Sequence, residues 1–219
     1  MKKINDKKIS VMQMGLTFVL TICLILANIL AVKPIFIFGI PQLVNTCGIL
    51  TFPITYVLSD VFSECYGYKW SRISALFAFF GTIFCSLMFS LMINMQGTPS
   101  WSNQEALINI LGSTPRIAVC SVIAFYIGDL ANDFAFARLK LLHGTKWFGL
   151  RAIVSSLIGK YADEVIMDFF GLPFLTSQEK AYKLISSPLT QICIEVLLLP
   201  LTYFVVKKVK AIERVQDVF

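Results

Sequence analysis

Three residues in the apolar segment 51–67 have the types and the spacing to bind a flat ligand. Phe52, Tyr56 and Asp60 are four residues apart, so in a helix they share one face. Two aromatic rings beside a carboxylate suit a flat heterocycle that carries N–H donors. Alternatively, the rings only pack against a neighbouring helix, and Asp60 reaches a water interface about one turn away. We expect Glu64, one turn further on, to be a solvated helix end.

A proline stands directly after the first of these aromatic residues. Pro53 has no backbone N–H and therefore cannot make the usual helical hydrogen bond. We expect it to open the helix locally, which gives it a structural or gating role.

The segment 151–172 carries a second group of charges. Lys160 lies three and four residues before Asp163 and Glu164, so it can pair with at least one of them along a helix. On one interpretation Asp163 accepts hydrogen bonds from a substrate and Lys160 is its charge partner. On the other the pair is only structural, although an ion pair in mid-membrane rarely recovers its desolvation cost.

Further acids stand in two other apolar segments. Asp129 lies in segment 116–137 and Glu195 near the middle of segment 184–206, and both are candidates for substrate binding because a charge in a bilayer is costly. We expect Asp133 and Asp168 to lie near interfaces, where water solvates them cheaply.

The composition predicts that a lipid bilayer surrounds these segments. Of the 219 residues, 57% are hydrophobic and only 15% are charged, and the mean hydropathy is +0.75. Several apolar runs reach the roughly 20 residues that a helix needs to cross the hydrocarbon core. The sequence predicts an all-α polytopic membrane protein, with residues 1–219 as a single domain of six transmembrane helices at about 11–32, 43–64, 73–95, 116–137, 151–172 and 184–206.

The basic residues predict the orientation of these spans. Most of the 19 lie in the head before span 1, the turns 66–72 and 138–151, and the tail after span 6. The positive-inside rule then places both termini in the cytoplasm. The net charge of +6 thus reflects topology, and we expect no direct contact with nucleic acid. Two halves of three spans would have opposite orientations, as in a 3+3 inverted repeat, although no repeat is visible residue by residue.

Motifs for enzymes, cofactors and metals are missing. The sequence has no Walker A motif, no G-x-G-x-x-G, no G-x-S-x-G and no H-E-x-x-H, so we expect neither ATP hydrolysis by this chain nor an enzyme of these classes. The six cysteines stand singly, and scattered cysteines in apolar runs usually pack as small hydrophobic residues. We expect no cofactor and no metal site. An intramembrane aspartyl enzyme would need glycine-rich motifs that are absent.

An ordered set of short motifs resembles the queuosine precursor transporter family, also called the VUT or YhhQ family. The resemblance covers nearly the whole chain. Its specificity lies in the order of the motifs, because each one is short. The matching residues are Asn28, Phe52-Pro53, Leu58-Ser59-Asp60, Gly67-Tyr68-Lys69, Arg72, Gly128, Arg151, Ser155, Gly159 and Asp163.

The resemblance implies a six-span protein of the inner (cytoplasmic) membrane that imports a 7-deazaguanine such as preQ0, preQ1 or queuine for tRNA modification. A carboxylate can accept two hydrogen bonds from the N1–H and 2-amino edge of such a base. The residues carried over by position are Asn28, Phe52, Asp60 and Asp163 for substrate binding, with Arg72 and Arg151 in structural or gating roles.

The chain departs from the family pattern at three positions. Asp129 and Lys160 stand where the family commonly has neutral amides, and Asn132 stands where it commonly has an aspartate. A cation at Lys160 beside Asp163 would disfavour a cationic aminomethyl group. We therefore expect that preQ1 is not the sole substrate.

Two functions of other classes remain open. The chain would be the substrate-binding subunit of a multi-subunit, ATP-driven vitamin importer if the small-residue face formed by Ala27 and Ala31 packs on a partner. It would be a membrane enzyme if its ligand were changed chemically. The expected partners are a 7-deazapurine substrate and the lipid bilayer, with a homo-oligomer left open.

Overall fold

The computed structural model describes residues 10–143 and 148–213, without the side chains at positions 68, 140, 142, 143 and 148–152. The head 1–9, Lys146 and Arg214 lie outside the described residues. The helices are α1 (Val11–Leu30), α2 (Phe52–Val61), α3 (Tyr68–Asn94), α4 (Gln104–Leu111), α5 (Thr114–His143), α6 (Phe148–Ile166) and α7 (Ser177–Glu213). Single π-helical turns extend α2 over Phe62–Tyr66 and α6 over Met167–Gly171.

Local sequence signals explain where two of these helices begin. The Ser10 hydroxyl accepts a hydrogen bond from the Gln13 N–H at 2.9 Å and so caps α1. Before α7, the Glu179 carboxylate accepts from the Thr176 N–H at 2.8 Å, and the Thr176 hydroxyl accepts from the Glu179 N–H at 3.3 Å. This reciprocal pair is a capping box.

The chain between α1 and α2 is not helical, which corrects the expected start of span 2 at about 43. A short antiparallel ribbon forms there from β1 (Pro34–Phe36) and β2 (Val44–Thr46), with Pro34 opposite Thr46. A 3-10 turn, Cys47–Leu50, then leads into α2. Prolines and glycines interrupt this apolar stretch and prevent a continuous helix. The all-α prediction holds for the rest of the fold.

Pro53 begins a helix instead of opening one. It lies in the first turn of α2, where the backbone N–H groups have no intrahelical partner in any helix, so its missing N–H costs nothing. The expectation that Pro53 locally opens span 2 is therefore wrong.

Six helices pack around the centre of the molecule in a closed order. α1 contacts α3, α3 contacts α5, α5 contacts α6, α6 contacts α7, α7 contacts α2, and α2 returns to α1. Large apolar side chains such as Phe80 and Leu197 are 71% and 78% exposed on the outside, as expected of a surface that faces lipid. Of the described helices, four are long and apolar enough to cross a membrane: Val11–Leu30, Lys69–Asn94, Gln104–Leu139 and Ser177–Glu213.

The two helices with the most extensive contact, α5 and α6, cross at a pair of glycines. A Cβ atom on Gly159 would lie 2.7 Å from the Gly128 carbonyl oxygen, and one on Gly128 would lie 2.9 Å from the Gly159 carbonyl oxygen. Both distances are shorter than van der Waals contact with backbone. Only glycine therefore permits this close helix approach.

We predict that Gly159→Ala lowers the melting temperature of the detergent-purified protein by several degrees. The added methyl group forces α5 and α6 apart, and overpacking of this kind costs about 1–3 kcal/mol. A thiol-reactive fluorophore that reports exposure of the buried Cys23 and Cys65 measures the transition. Gly15→Ala in α1 is the matched control, because its Cβ meets nothing within 4 Å. Equal melting temperatures for the two variants would contradict a close-packed crossing.

Candidate functional site

The ring of helices encloses a cavity of about 500 Å³, a size typical of small-molecule sites. Its walls come from α1, α2, α3, α5, α6 and α7, with β2 and the following 3-10 turn closing part of it. All eight residues predicted to bind substrate contribute to this wall: Asn28, Phe52, Tyr56, Asp60, Asp129, Lys160, Asp163 and Glu195. Their binding role stays a prediction.

The three residues with predicted gating roles are placed differently. Arg72 lines the cavity, whereas Pro53 is not among the lining residues. The side chain of Arg151 lies outside the described part of the chain.

Two carboxylates on the cavity wall have unused hydrogen-bonding capacity. Asp60 comes from α2 and Asp163 from α6. Within the described residues, neither side chain has an ion pair or a hydrogen bond. Unpaired acids in a membrane protein are costly, so these two positions are candidates for ligand binding.

The aromatic pair beside Asp60 lies on one side of the cavity. The ring centroids of Phe52 and Tyr56 are 6.0 Å apart and their planes are inclined by 39°, so the rings form adjacent parts of one wall. The Tyr56 hydroxyl donates to the Gln191 side-chain oxygen at 3.1 Å. The Lys160 ammonium lies 4.3 Å from the Tyr56 ring centroid, in a cation–π contact.

Lys160 pairs across the cavity and not along its own helix. Its ammonium lies 3.1 Å from a Glu195 carboxylate oxygen on α7, which corrects the expected pairing with Asp163 or Glu164. The long lysine side chain reaches a neighbouring helix as readily as the next turn. This contact leaves Asp163 without Lys160 as a direct partner.

A second ion pair links α3 to α5 at the cavity wall. The Arg72 guanidinium donates to an Asp129 carboxylate oxygen, and both side chains are partly exposed to the cavity. A ligand or water can therefore reach this pair.

The most deeply buried charges form a cluster that the sequence did not reveal. Lys183 on α7 donates to Glu164 and, at 2.8 Å, to Asp168 on the π turn after α6. The three residues are 4%, 3% and 1% exposed, in that order. Asp168 is therefore not solvated, which corrects its expected place near an interface. The expected start of span 6 at about 184 is too late, because α7 begins at Ser177 and carries Lys183 into the packed interior.

One sequence signal could have identified this cluster. Lys183, Ser187, Gln191 and Glu195 are four residues apart, so they form one polar stripe on α7, and all four line the cavity. This is the spacing that identified Phe52, Tyr56 and Asp60.

Two amide side chains on the wall have an atom without a partner. Asn45 Nδ2 and Asn132 Oδ1 are buried and make no hydrogen bond within the described residues, and both residues line the cavity. The Asn45 oxygen accepts from the Thr46 N–H at 2.8 Å, which fixes the amide. One unused donor and one unused acceptor thus remain for a polar ligand, and sequence reasoning missed both.

The charges on the wall do not cancel. The cationic lining residues are Arg72, Lys160 and Lys183, whereas carboxylates come from Asp60, Asp129, Asp163, Glu164 and Glu195. With every group ionised, the cavity is net acidic. It therefore favours ligands that donate hydrogen bonds or carry positive charge.

The fold and the cavity define a class of protein: a polytopic membrane protein with a cavity of small-molecule size inside its helix ring. A family model described as "Putative vitamin uptake transporter" matches residues 46–205, which is most of the chain. This protein belongs to that family of membrane transporters. No curated protein and no solved structure matches the chain.

We predict that Lys183→Met destabilises the protein far more than Glu164→Gln does. Loss of the ammonium leaves two buried carboxylates uncompensated, which costs about 3–5 kcal/mol, whereas Glu164→Gln leaves a balanced pair of Lys183 and Asp168. The yield of monodisperse protein and its melting temperature measure the difference.

Lys210→Met is the matched control for the loss of a lysine. Lys210 pairs at 3.5 Å with Glu64, whose side chain is 61% exposed, and pairs of this kind contribute about 0–1 kcal/mol. If Lys183→Met and Lys210→Met had equal effects, the buried cluster would not be the main electrostatic support of the fold.

Proposed function

We propose that this transporter imports a 7-deazaguanine precursor of queuosine for tRNA modification. The observation that carries the proposal is the pair of carboxylates, Asp60 and Asp163, that line the cavity without a partner among the described residues. Either one can accept the N1–H and 2-amino hydrogens of a guanine-like edge in a two-point hydrogen bond. The Phe52 and Tyr56 rings supply an apolar surface for the flat base beside them.

The remaining polar atoms on the wall are complementary to the rest of such a base. A 7-deazaguanine presents a carbonyl oxygen next to its N1–H, and Asn45 Nδ2 is a donor without a partner. The Asn132 side-chain oxygen is an acceptor without a partner, suited to a ring N–H. A ligand that satisfies these buried atoms removes the cost of leaving them unpaired.

The charge balance bears on which base is carried. The expectation that preQ1 is not the sole substrate depended on Lys160 as an uncompensated cation, but Glu195 neutralises it at 3.1 Å. The excess of carboxylates on the wall supports a base with a cationic aminomethyl group as well as a neutral one. We propose that both kinds are substrates.

We further propose six spans in the inner membrane with both termini in the cytoplasm. Four of the described helices are apolar enough to cross the membrane alone. In this topology α2 and α6, each extended by its π turn, are the two further spans. The distribution of basic residues in the sequence supports this orientation. A 3+3 inverted repeat is compatible with it and stays a hypothesis.

The small-residue face of α1 does not support the alternative function, a substrate-binding subunit of an ATP-driven importer. Ala27 and Ala31 line the cavity, and Ala31 belongs to an interior cluster with Ile117 and Leu172. A Cβ on Gly48 would lie 3.1 Å from the Ala27 carbonyl oxygen. The small side chains thus admit the turn before α2, which leaves no need for a partner. Uptake by the protein reconstituted alone tests this directly.

We predict that Asp60→Asn and Asp163→Asn each abolish uptake while the protein stays in the membrane, because an amide cannot accept both hydrogens of the guanine edge. Uptake is measured as the return of queuosine to the tRNA of a strain that cannot make the precursors. The strain is supplied with preQ0, preQ1 or queuine in turn. Glu64→Gln, one turn from Asp60 and exposed, is the matched control. Full uptake by both aspartate variants would contradict the site, and no rescue by any base would contradict the substrate class.

A further inference from the structure

Behind the cavity wall, Asp168 forms the end of a buried charge cluster and is not itself a lining residue. Its Oδ1 atom accepts from the Lys183 ammonium at 2.8 Å. Its Oδ2 atom is also buried and has no hydrogen-bond partner within the described residues. Lys183 and Glu164, the other two members, do line the cavity, so the cluster extends from the substrate space into the helix packing.

The cluster holds an uncompensated charge. Two carboxylates share one ammonium, and a net negative charge in a water-poor interior is expensive. A proton on Asp168 Oδ2 neutralises the cluster, and a neutral hydroxyl without a partner costs less than a charged oxygen without one. The ammonium in the cluster repels a metal cation, so a proton suits the site better than sodium or a divalent ion.

Charged and titratable groups on the neighbouring elements leave this balance open to change. Asp163 on α6 and Lys180 on α7 act on Asp168 with opposite signs. From α5, Arg116 donates to the Phe170 carbonyl oxygen of the same π turn, and the Cys120 side chain packs against Gly171. Of these groups, none is hydrogen-bonded to Asp168, so its only direct charge partner among the described residues is Lys183.

We propose that Asp168 is a proton-binding site that couples import to a proton gradient. This inference rests on the transport function proposed above. A proton from water on the outer side forms an O–H bond at Asp168 Oδ2, and the same bond breaks when the proton passes to water on the inner side. No other bond changes, and no oxidant or reductant is needed.

A hydrogen-bond chain links this proton to the substrate cavity. With Asp168 neutral, the Lys183 ammonium serves Glu164 alone. The other Glu164 oxygen accepts from Ser187 at 3.1 Å and from Gln191 at 3.4 Å, and Gln191 accepts from the Tyr56 hydroxyl at 3.1 Å. The protonation state of Asp168 thus biases the position of Tyr56, and with it the wall where the base binds.

The test uses the full chain reconstituted in liposomes. The labelled probe is preQ0, the neutral 7-cyano base, because a pH gradient alone does not make a neutral base accumulate. A gradient of one pH unit supports about tenfold accumulation if one proton moves with each molecule. We expect wild type to accumulate the base with an acidic exterior. The Asp168→Asn variant should still exchange labelled external base for unlabelled internal base, but it should no longer accumulate the base against its gradient. The Asp168→Glu variant should regain part of the accumulation.

Glu179→Gln is the matched control, a partly exposed carboxylate in the first turn of α7, whose glutamine can keep the capping box. It should accumulate like wild type. Accumulation by Asp168→Asn, or accumulation that follows sodium in place of pH, would overturn the proposal. Loss of both exchange and accumulation would also overturn it, because Asp168 would then be structural.

An infrared titration separates this site from the substrate assignment. The C=O stretching band of a protonated carboxyl should appear with falling pH in wild type and in Glu179→Gln, and should be weaker by one group in Asp168→Asn. If this difference is present but wild type takes up no 7-deazaguanine, the proton site stands and the substrate fails. If it is absent, the proton site fails whatever the substrate is.

Discussion

The buried ammonium of Lys183 is the interaction on which the rest of the structure depends. It holds Glu164 and Asp168, two acids in the interior that would otherwise be uncompensated, and it joins α7 to α6 in doing so. Three residues later, the Ser186 hydroxyl donates to the Val44 carbonyl oxygen at 2.6 Å. One turn of α7 therefore fixes both the charge cluster and the ribbon that precedes α2, and the cavity lies between them.

Partners divide the acids of the cavity into two kinds. Glu164, Asp129 and Glu195 each have a cation on a neighbouring helix, so these pairs also hold helices together. Asp60 and Asp163 have no such partner within the described residues. Since an unpaired carboxylate in a membrane protein costs several kcal/mol or requires water or ligand, these two are the acids that we propose for recognition, whereas the paired acids hold the helices in place.

The membrane class, the helical fold and the cavity-lining residues could be read from the sequence because hydropathy and helical spacing are local properties. The predicted start of span 2 at about 43 is wrong, because apolar composition does not distinguish a helix from the ribbon at 34–46. Ion pairing was misjudged for a different reason. Lys160 can reach Asp163 on its own helix and Glu195 on another, and only tertiary packing decides between them. The burial of Lys183 could not be predicted, because it depends on the residue at which α7 begins.

Each charged residue at which the chain departs from the family pattern has an opposite charge beside it. On α5, a carboxylate stands at Asp129 and an amide at Asn132, three residues apart on one face, so the acid is moved by about one turn, where Arg72 meets it. The added Lys160 meets Glu195. Each added charge thus meets an opposite charge on a neighbouring helix, and neither pairs directly with Asp60 or Asp163. The cavity can therefore differ from the family pattern in its charged rim while it keeps Asp60 and Asp163, the two acids that we propose as acceptors for a guanine-like edge.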